Sequence, residues 1–159
     1  MARRLSPVGL EFIETAPLRF TFTREIGSPP AAVYRALAED VEGWPAWFKA
    51  VSRAQSTDDA KGRSIKLRVG VHFAETILAA DPDERYAYRV DATNAPGVRH
   101  LVEEWRLTPA SGGTRVRWTF AADGSAAFRI GLRAARPGLG SSFRDAVTRL
   151  DSRLSGTPA

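Results

Sequence analysis

The clearest pattern in the chain is an alternation of apolar and polar residues that begins near residue 18 and recurs through the middle of the sequence. Residues 18–26 (LRFTFTREI) place Leu18, Phe20, Phe22 and Ile26 on one side, which is the two-residue period of a half-buried strand. Six more alternating segments lie between residues 51 and 120, separated by short turn sequences such as DPDE and ASGG. Because connections this short cannot hold a crossover helix, we predict that these six strands form an antiparallel meander within a sheet of about seven strands.

Two short helices are predicted between the first and second strands. Ser28 is expected to cap the first helix, and Pro30 fits its opening turn because proline lacks the N–H that would be unpaired there. Val33 and Leu37 then lie on one face of this helix. In residues 40–51 (DVEGWPAWFKAV), a glycine and a proline limit the second helix to a short helical segment.

A longer helix is predicted at the C-terminal end of the chain. Apolar residues spaced i, i+4, i+7 and i+11 form a stripe here: Phe143, Val147, Leu150 and Leu154. Ahead of it, residues 125–140 carry a helical pattern that Pro137 and Gly138 interrupt, so the role of this segment is left open. Since the helices flank the meander and do not alternate with its strands, the predicted fold class is α+β.

Composition places the chain among single-domain globular proteins. A length of 159 residues suits one domain, and 43% hydrophobic with 26% charged residues is ordinary for such a fold. We predict an N-terminal extension at residues 1–16 and a single domain at residues 17–155. The absence of cysteine excludes disulfides, thiolate catalysis and zinc sites of the cysteine type.

The formal net charge of +5 comes almost entirely from arginine, but the arginines are scattered among acidic residues. This pattern is typical of a solvated mixed surface, and it also permits contact with nucleic acid or an anionic membrane. The sequence contains no apolar run near the roughly 20 residues that span a bilayer and no apolar segment typical of a secretory signal. A cytoplasmic protein without a transmembrane segment is therefore expected.

Local sequence adds a family resemblance to this order of elements. The segments FTREIGSPPAAVYRAL and EGWPAWFKAV, followed in order by FAETI and GGTRVRWTF, resemble the polyketide cyclase/dehydrase branch of the START-like (SRPBCC) superfamily. The resemblance extends from about Phe20 to Leu154. It implies a helix-grip fold, in which a curved antiparallel sheet wraps around the long C-terminal helix and leaves a cavity between them. It does not fix an activity, since superfamily members bind lipids, sterols, quinones, polyketides or proteins.

Two carboxylates occupy positions that alternation assigns to apolar strand faces. Glu75 lies in phase with Phe73 and Ile77, and Glu103 lies in phase with Leu101 and Trp105. A buried carboxylate must find a partner, raise its pKa or face a solvated pocket. One interpretation makes Glu75 and Glu103 catalytic acid–base groups or ligand contacts. The other pairs each with an arginine of a neighbouring strand, such as Arg89 or Arg117, or turns it outward at a bulge.

Aromatic side chains are the stronger signal for a ligand, because they offer large contact areas to rings and acyl chains. The predicted ligand-binding residues are Trp44, Trp47, Arg68, Phe73, Tyr88, Trp105, Trp118, Phe143 and Val147. Arg68 either reaches into the pocket, where it could stabilise an enolate, or is an exposed strand arginine. His72 and His100 fall on the opposite strand faces, are expected at the surface, and predict no metal site.

The leading hypothesis is a protein that binds an apolar or aromatic small molecule, such as a lipid, quinone or polyketide, without a cofactor. The alternative is a polyketide cyclase, aromatase or dehydrase in which Glu75 or Glu103 moves protons. A third hypothesis is a protein-, membrane- or RNA-interaction module, motivated by the arginine excess. No specific nucleic acid partner is expected, peripheral membrane contact is left open, and both a monomer and a homodimer are compatible with the sequence.

Overall fold

The computed structural model describes residues 1–156, which form one curved sheet and a long helix. The strands are β1 (Arg3–Arg4), β2 (Leu18–Ile26), β3 (Val51–Thr57), β4 (Gly62–Leu67), β5 (His72–Asp81), β6 (Arg85–Thr93), β7 (Val98–Ala110) and β8 (Gly113–Gly124). The helices are α1 (Phe12–Thr15), α2 (Pro30–Tyr34) and α3 (Ala126–Leu154), with a π-helical turn at Arg35–Glu39 and a 3₁₀ helix at Val41–Ala46.

The sheet is antiparallel, with the strand order β2-β8-β7-β6-β5-β4-β3, so the predicted meander is confirmed for the six strands β3–β8, and β2 completes the seven by pairing with β8. The eighth strand, β1, lies in the N-terminal segment and pairs with β6, with Arg3 opposite Thr93 and Arg4 opposite Ala92. Two residues are too few to produce an alternating pattern, so the sequence held no signal for β1. Register shifts in β3, β5 and β7 mark bulges, which bend strands and increase their twist around α3.

The helix α3 is a single element of 29 residues and begins at Ser125, whose Oγ accepts a hydrogen bond from the Phe128 N–H. The interruption expected at Pro137 and Gly138 is absent. Pro137 and Gly138 are both exposed. Because proline has no N–H, Pro137 cannot donate a helical hydrogen bond to the carbonyl of Arg133. Arg133 is also exposed, so water can solvate that carbonyl. The predicted apolar stripe is confirmed, because Phe143, Val147 and Leu150 are buried. Within the described residues, no helix combines the length and hydropathy needed to cross a membrane.

The first sixteen residues, predicted as an extension, pack on the outer face of the sheet. Phe12 and Ile13 of α1 are buried against Val102 of β7 and Ala121 of β8. These two strand residues alternate with the inward-facing positions of β7 and β8. The N-terminal segment therefore covers apolar surface that the sheet would otherwise expose.

The corner between β2 and α2 is fixed to α3. The helix α2 begins after Pro29, and the Ser28 side chain is not its cap as predicted. The Ser28 hydroxyl instead donates to Asp151 Oδ1 at 2.6 Å, and the Ser28 and Gly27 N–H groups donate to the same carboxylate. Partial burial acts to raise the pKa of Asp151, but these hydrogen bonds outweigh it and keep the pKa below its ordinary value.

Replacing this carboxylate tests the corner. We expect Asp151→Asn to lower the free energy of unfolding at pH 7 by about 1–2 kcal/mol, because three charge-assisted hydrogen bonds are weakened at a partly solvated site. The native pKa is lowered, so the stabilisation is fully present above about pH 4 and is lost as the pH falls through the native pKa. Urea denaturation at pH 7 and in acid measures both effects.

The matched control is Asp145→Asn on the same helix, where the carboxylate forms an ion pair with the partly exposed side chain of Arg149 four residues on, at 2.9 Å. A pair of this kind contributes about 0.3–0.5 kcal/mol. Equal losses from the two substitutions would show that Asp151 is an ordinary surface carboxylate.

Candidate ligand-binding site

A buried ion pair lies on the inner face of the sheet. The register of β4 and β5 places Arg63 directly opposite Glu75. Arg63 Nε donates to Glu75 Oε1 at 2.8 Å, and Arg63 Nη2 lies 2.7 Å from the same oxygen. The side chains are 2% and 1% exposed, so neither charge is solvated. An ion pair for Glu75 is one of the predicted alternatives, but its arginine is neither of the two suggested for the buried glutamates: Arg89 pairs with Asp91, and Arg117 is exposed on β8.

Aromatic rings surround the Arg63 guanidinium. Its central carbon lies 4.0 Å from the ring centre of Tyr88, 4.5 Å from that of Trp44 and 5.5 Å from that of Tyr86. Trp44 is fixed in turn, because its Nε1 donates to the Leu37 carbonyl at 3.0 Å. Arg63 Nη1 is buried without a hydrogen-bond partner among the described residues. Attraction between the cation and the ring faces compensates in part for that unmade hydrogen bond.

The second predicted carboxylate, Glu103, accepts hydrogen bonds from a network of neutral aromatic side chains. Glu103 Oε1 accepts from Tyr88 Oη at 3.1 Å and from Trp118 Nε1 at 2.9 Å. Trp105 Nε1 donates to Tyr88 Oη at 3.1 Å. Strand pairing sets this arrangement, since Tyr88 is opposite Glu103 and Trp105 is opposite Trp118. Glu103 is therefore held by two aromatic donors, one of which Trp105 supports, and by no direct cationic partner among the described residues.

Burial changes the proton affinity of both carboxylates. It raises the pKa of Glu75 to about 7, with the adjacent Arg63 charge opposing the rise. It also raises the pKa of Glu103, against the Arg63 charge and the hydrogen bonds from Tyr88 and Trp118. The pKa of Tyr88 is well above its ordinary value for the same reason, so its phenol remains a donor at neutral pH.

Beside this network lies a cavity of about 190 Å³ between the sheet and α3. Its lining residues come from the segment between the 3₁₀ helix and β3, from the strands β4, β5, β7 and β8, and from α3. They are Phe48, Ala50, Leu67, Phe73, Glu103, Trp118, Phe120, Leu139 and Ser142. Of these, Glu103 alone is ionisable. Phe48, Glu103 and Trp118 are buried, whereas the other six lining residues, Leu67 and Leu139 among them, are only half-buried, so the cavity is partly open to solvent. A larger depression of about 720 Å³ lies elsewhere, at Pro29–Ala31 and Pro82–Glu84, and contains none of the buried network.

The structure divides the predicted site residues between the cavity wall and the core. Three of them line the cavity: Phe73, Glu103 and Trp118. The others are buried around or beneath it: Trp44, Trp47, Glu75, Tyr88, Trp105, Phe143 and Val147. Trp105 stacks on Trp118 with ring centres 5.6 Å apart, and Phe143 stacks on the same indole at 6.0 Å. His72 is exposed, and His100 is half-buried with its ring 5.4 Å from Phe12 on the outer face.

Arg68 does not reach the interior. The strand β4 ends at Leu67, and Arg68 lies exposed in the following turn, where its Nε donates to the Lys49 carbonyl at 2.6 Å. The interior cation is Arg63, which sequence analysis missed. A signal was present, because Arg63 is in phase with Ile65 and Leu67 on the apolar face of β4, whereas Arg68 is out of phase.

Comparison with known proteins places these features in a wider group. A family described as polyketide cyclase/dehydrase and lipid transport matches the chain over residues 17–155. Uncharacterized proteins of Mycobacterium bovis and Mycobacterium tuberculosis are 29% identical to it over 142 residues, covering 86% of this chain and 84% of theirs.

Solved structures show the same fold. A START superfamily protein from Mycobacterium smegmatis superimposes with a TM-score of 0.68 at 8% identity, covering 87% of this chain and 97% of that one. The protein XoxI from Bacillus cereus gives a TM-score of 0.69 at 16% identity, with coverage of 86% and 95%. The predicted START-like helix-grip fold is thereby confirmed.

The buried ion pair makes a direct prediction about stability. We expect Arg63→Met alone to lower the free energy of unfolding by about 3–5 kcal/mol, because Glu75 would remain buried without its cation. Adding Glu75→Leu should restore much of that loss, since an apolar pair of similar volume replaces two desolvated charges. Urea denaturation of the single and double variants measures the recovery.

An exposed pair provides the control. Arg115 and Glu25 are 2.6 Å apart with more than half of each side chain exposed, so Arg115→Met should cost less than about 1 kcal/mol. A double variant no more stable than Arg63→Met would contradict the interpretation that the two charges compensate each other.

Proposed function

Because the chain belongs to the polyketide cyclase/dehydrase and lipid transport family, we propose that it binds an apolar, aromatic small molecule in the cavity between its sheet and α3. The observation that carries this proposal is the cavity itself: about 190 Å³, walled almost entirely by apolar side chains and set on a buried aromatic cluster. Small-molecule sites are commonly apolar hollows with a few placed polar groups, and Glu103 is such a group here.

The wall suits a planar ligand. Phe48 and Phe120 each lie edge-on to Trp118, with ring centres 6.0 and 5.9 Å from it. A ring inserted among them would meet both faces and edges of aromatic groups, the geometries that aromatic pairs prefer. Since a dry cavity of about 150 Å³ is known to hold benzene, about 190 Å³ suits one or two fused rings. A longer ligand would extend outward past the half-buried residues of the wall, which include Leu67 and Leu139.

Filling the cavity tests the proposal. Trp118 lines the cavity, so naphthalene derivatives, naphthoquinones and fatty acids can be screened by the change in intrinsic fluorescence. We expect at least one aromatic compound to bind, and Leu139→Trp to weaken its binding by at least about tenfold because the new ring would occupy the site. Circular dichroism checks that the variant is folded.

The matched control is Ile130→Trp, which introduces the same ring on the same helix at a side chain that is 67% exposed. Its binding should equal that of the unmodified protein. The proposal fails if no compound of these classes binds, or if Leu139→Trp binds as well as Ile130→Trp.

A second candidate function, proton transfer on a bound polyketide, is favoured by the position of Glu103. This carboxylate lines the cavity, burial raises its pKa, and the Tyr88 phenol is bonded to it. Glu75 lies outside the lining and is engaged by Arg63, so the acid–base role falls to Glu103 alone.

The reaction is tested with a linear polyketide analogue whose cyclisation is followed by absorbance. If Glu103 transfers the proton, Glu103→Gln should lower kcat by about 10²–10⁴ with little change in KM. Glu104→Gln, on the same strand but the opposite face, should leave kcat unchanged. Turnover of the Glu103→Gln variant at the original rate would refute this role.

A further inference from the structure

The hydrogen bonds of Glu103 leave one of its oxygens available. Both donors, Tyr88 Oη and Trp118 Nε1, are bonded to Oε1. Among residues 1–156, no hydrogen bond reaches Oε2. Of the eight other residues that line the cavity, six have no side-chain donor, Trp118 already donates to Oε1, and Ser142 carries a hydroxyl on α3. One oxygen of this cavity-lining carboxylate thus accepts two hydrogen bonds, and the other accepts none among the described residues.

The charges around the cavity are also unbalanced. Arg63 is committed to Glu75, with both of its bonded nitrogens on one oxygen of that carboxylate. Glu103 is held only by neutral donors, so ionised Glu103 leaves one net negative charge in the buried network. A buried carboxylate of this kind is stabilised most by a further donor, and hydrogen bonds to charged groups are about twice as strong as neutral ones.

We propose that the ligand of this cavity carries a hydrogen-bond donor, a hydroxyl or an amine, on its buried aromatic end, and that Glu103 Oε2 accepts from it. The inference rests on the proposed binding function and narrows its ligand class. It selects phenols, hydroxylated rings and aryl amines over ethers, esters and plain hydrocarbons of the same size. A site built to bond a donor discriminates strongly against an analogue that lacks one, because its own polar group is then left unpaired.

The geometry also sets the ligand's direction. Glu103 is only 8% exposed, whereas six of the other lining residues, Leu67 and Leu139 among them, are half-buried. The donor-bearing end therefore lies at the buried carboxylate, and the rest of the ligand extends toward the half-buried part of the wall. An amphiphile would consequently bind with its donor inside and its apolar remainder toward the opening.

A set of naphthalenes tests the inference in the unmodified protein. The probes are 2-naphthol, 2-(aminomethyl)naphthalene, 2-methoxynaphthalene and naphthalene, titrated by calorimetry. We expect 2-naphthol to bind about tenfold to a hundredfold more tightly than 2-methoxynaphthalene, which keeps the ring and oxygen but lacks the donor. The amine distinguishes a cationic donor from a neutral one, and either donor binding more tightly than the ether supports the proposal.

The variant Glu103→Gln tests whether Glu103 is the group that accepts the ligand's hydrogen bond. Glu103→Gln should reduce the advantage of 2-naphthol over the ether to less than about threefold, because the charged acceptor is lost. Its affinity for naphthalene should change little, which shows that the cavity is intact. The control is Glu104→Gln, at a neighbouring carboxylate that pairs with Arg85 at 2.7 Å on the outer face and should keep the full advantage.

The outcomes separate this inference from the function on which it rests. If neither 2-naphthol nor 2-(aminomethyl)naphthalene binds more tightly than 2-methoxynaphthalene, the donor proposal is overturned while aromatic ligand binding stays in place. Failure of all four probes to bind would contradict both. An advantage that persists in Glu103→Gln would show that another group accepts the donor and would overturn the assignment of Glu103.

Discussion

The interior of this domain depends on one interaction, the desolvated ion pair between Arg63 and Glu75. Both charges lie on the concave face of the sheet, and they meet because β4 and β5 pair in a register that places them opposite each other. A shift of one residue would turn one charge toward the other face of the sheet and leave its partner buried alone. The pair by itself therefore contributes little net stability to the folded protein. A strand register that separated the two charges, however, would be strongly destabilised.

The same pair explains why aromatic residues gather at this end of the core. A guanidinium in this position requires ring faces around it, which Trp44 supplies from the 3₁₀ helix and Tyr88 from β6. Tyr88 then links this cluster to the cavity, because its hydroxyl donates to Glu103 and accepts from Trp105. The wall of the cavity is therefore fixed before a ligand arrives, and little ordering free energy opposes binding.

The sequence predicted the sheet better than the site because alternation reports which face a residue occupies, and not which residue it meets. The bounds of β2 and β3 agree with the alternating segments, and Glu75 and Glu103 do face inward. Pairing of Glu75 with Arg63 depends on strand register, which no single strand encodes. Leu139 could not be assigned to the cavity because it follows Pro137, where the helical pattern is interrupted, and only packing of α3 against the sheet places it there.

Glu75 and Glu103 look alike in the sequence, yet their partners give them different properties. Arg63 neutralises Glu75, so that carboxylate belongs to the scaffold. Glu103 is fixed in position by two neutral donors and lines the cavity. A cavity formed only by apolar residues would accept any ring of suitable size, since one methylene more or less changes binding by only about 1–3 kcal/mol. Under the proposed ligand chemistry, the fixed Glu103 carboxylate would instead distinguish ligands by whether they carry a hydrogen-bond donor, because a ligand without one would leave that carboxylate desolvated and unpaired.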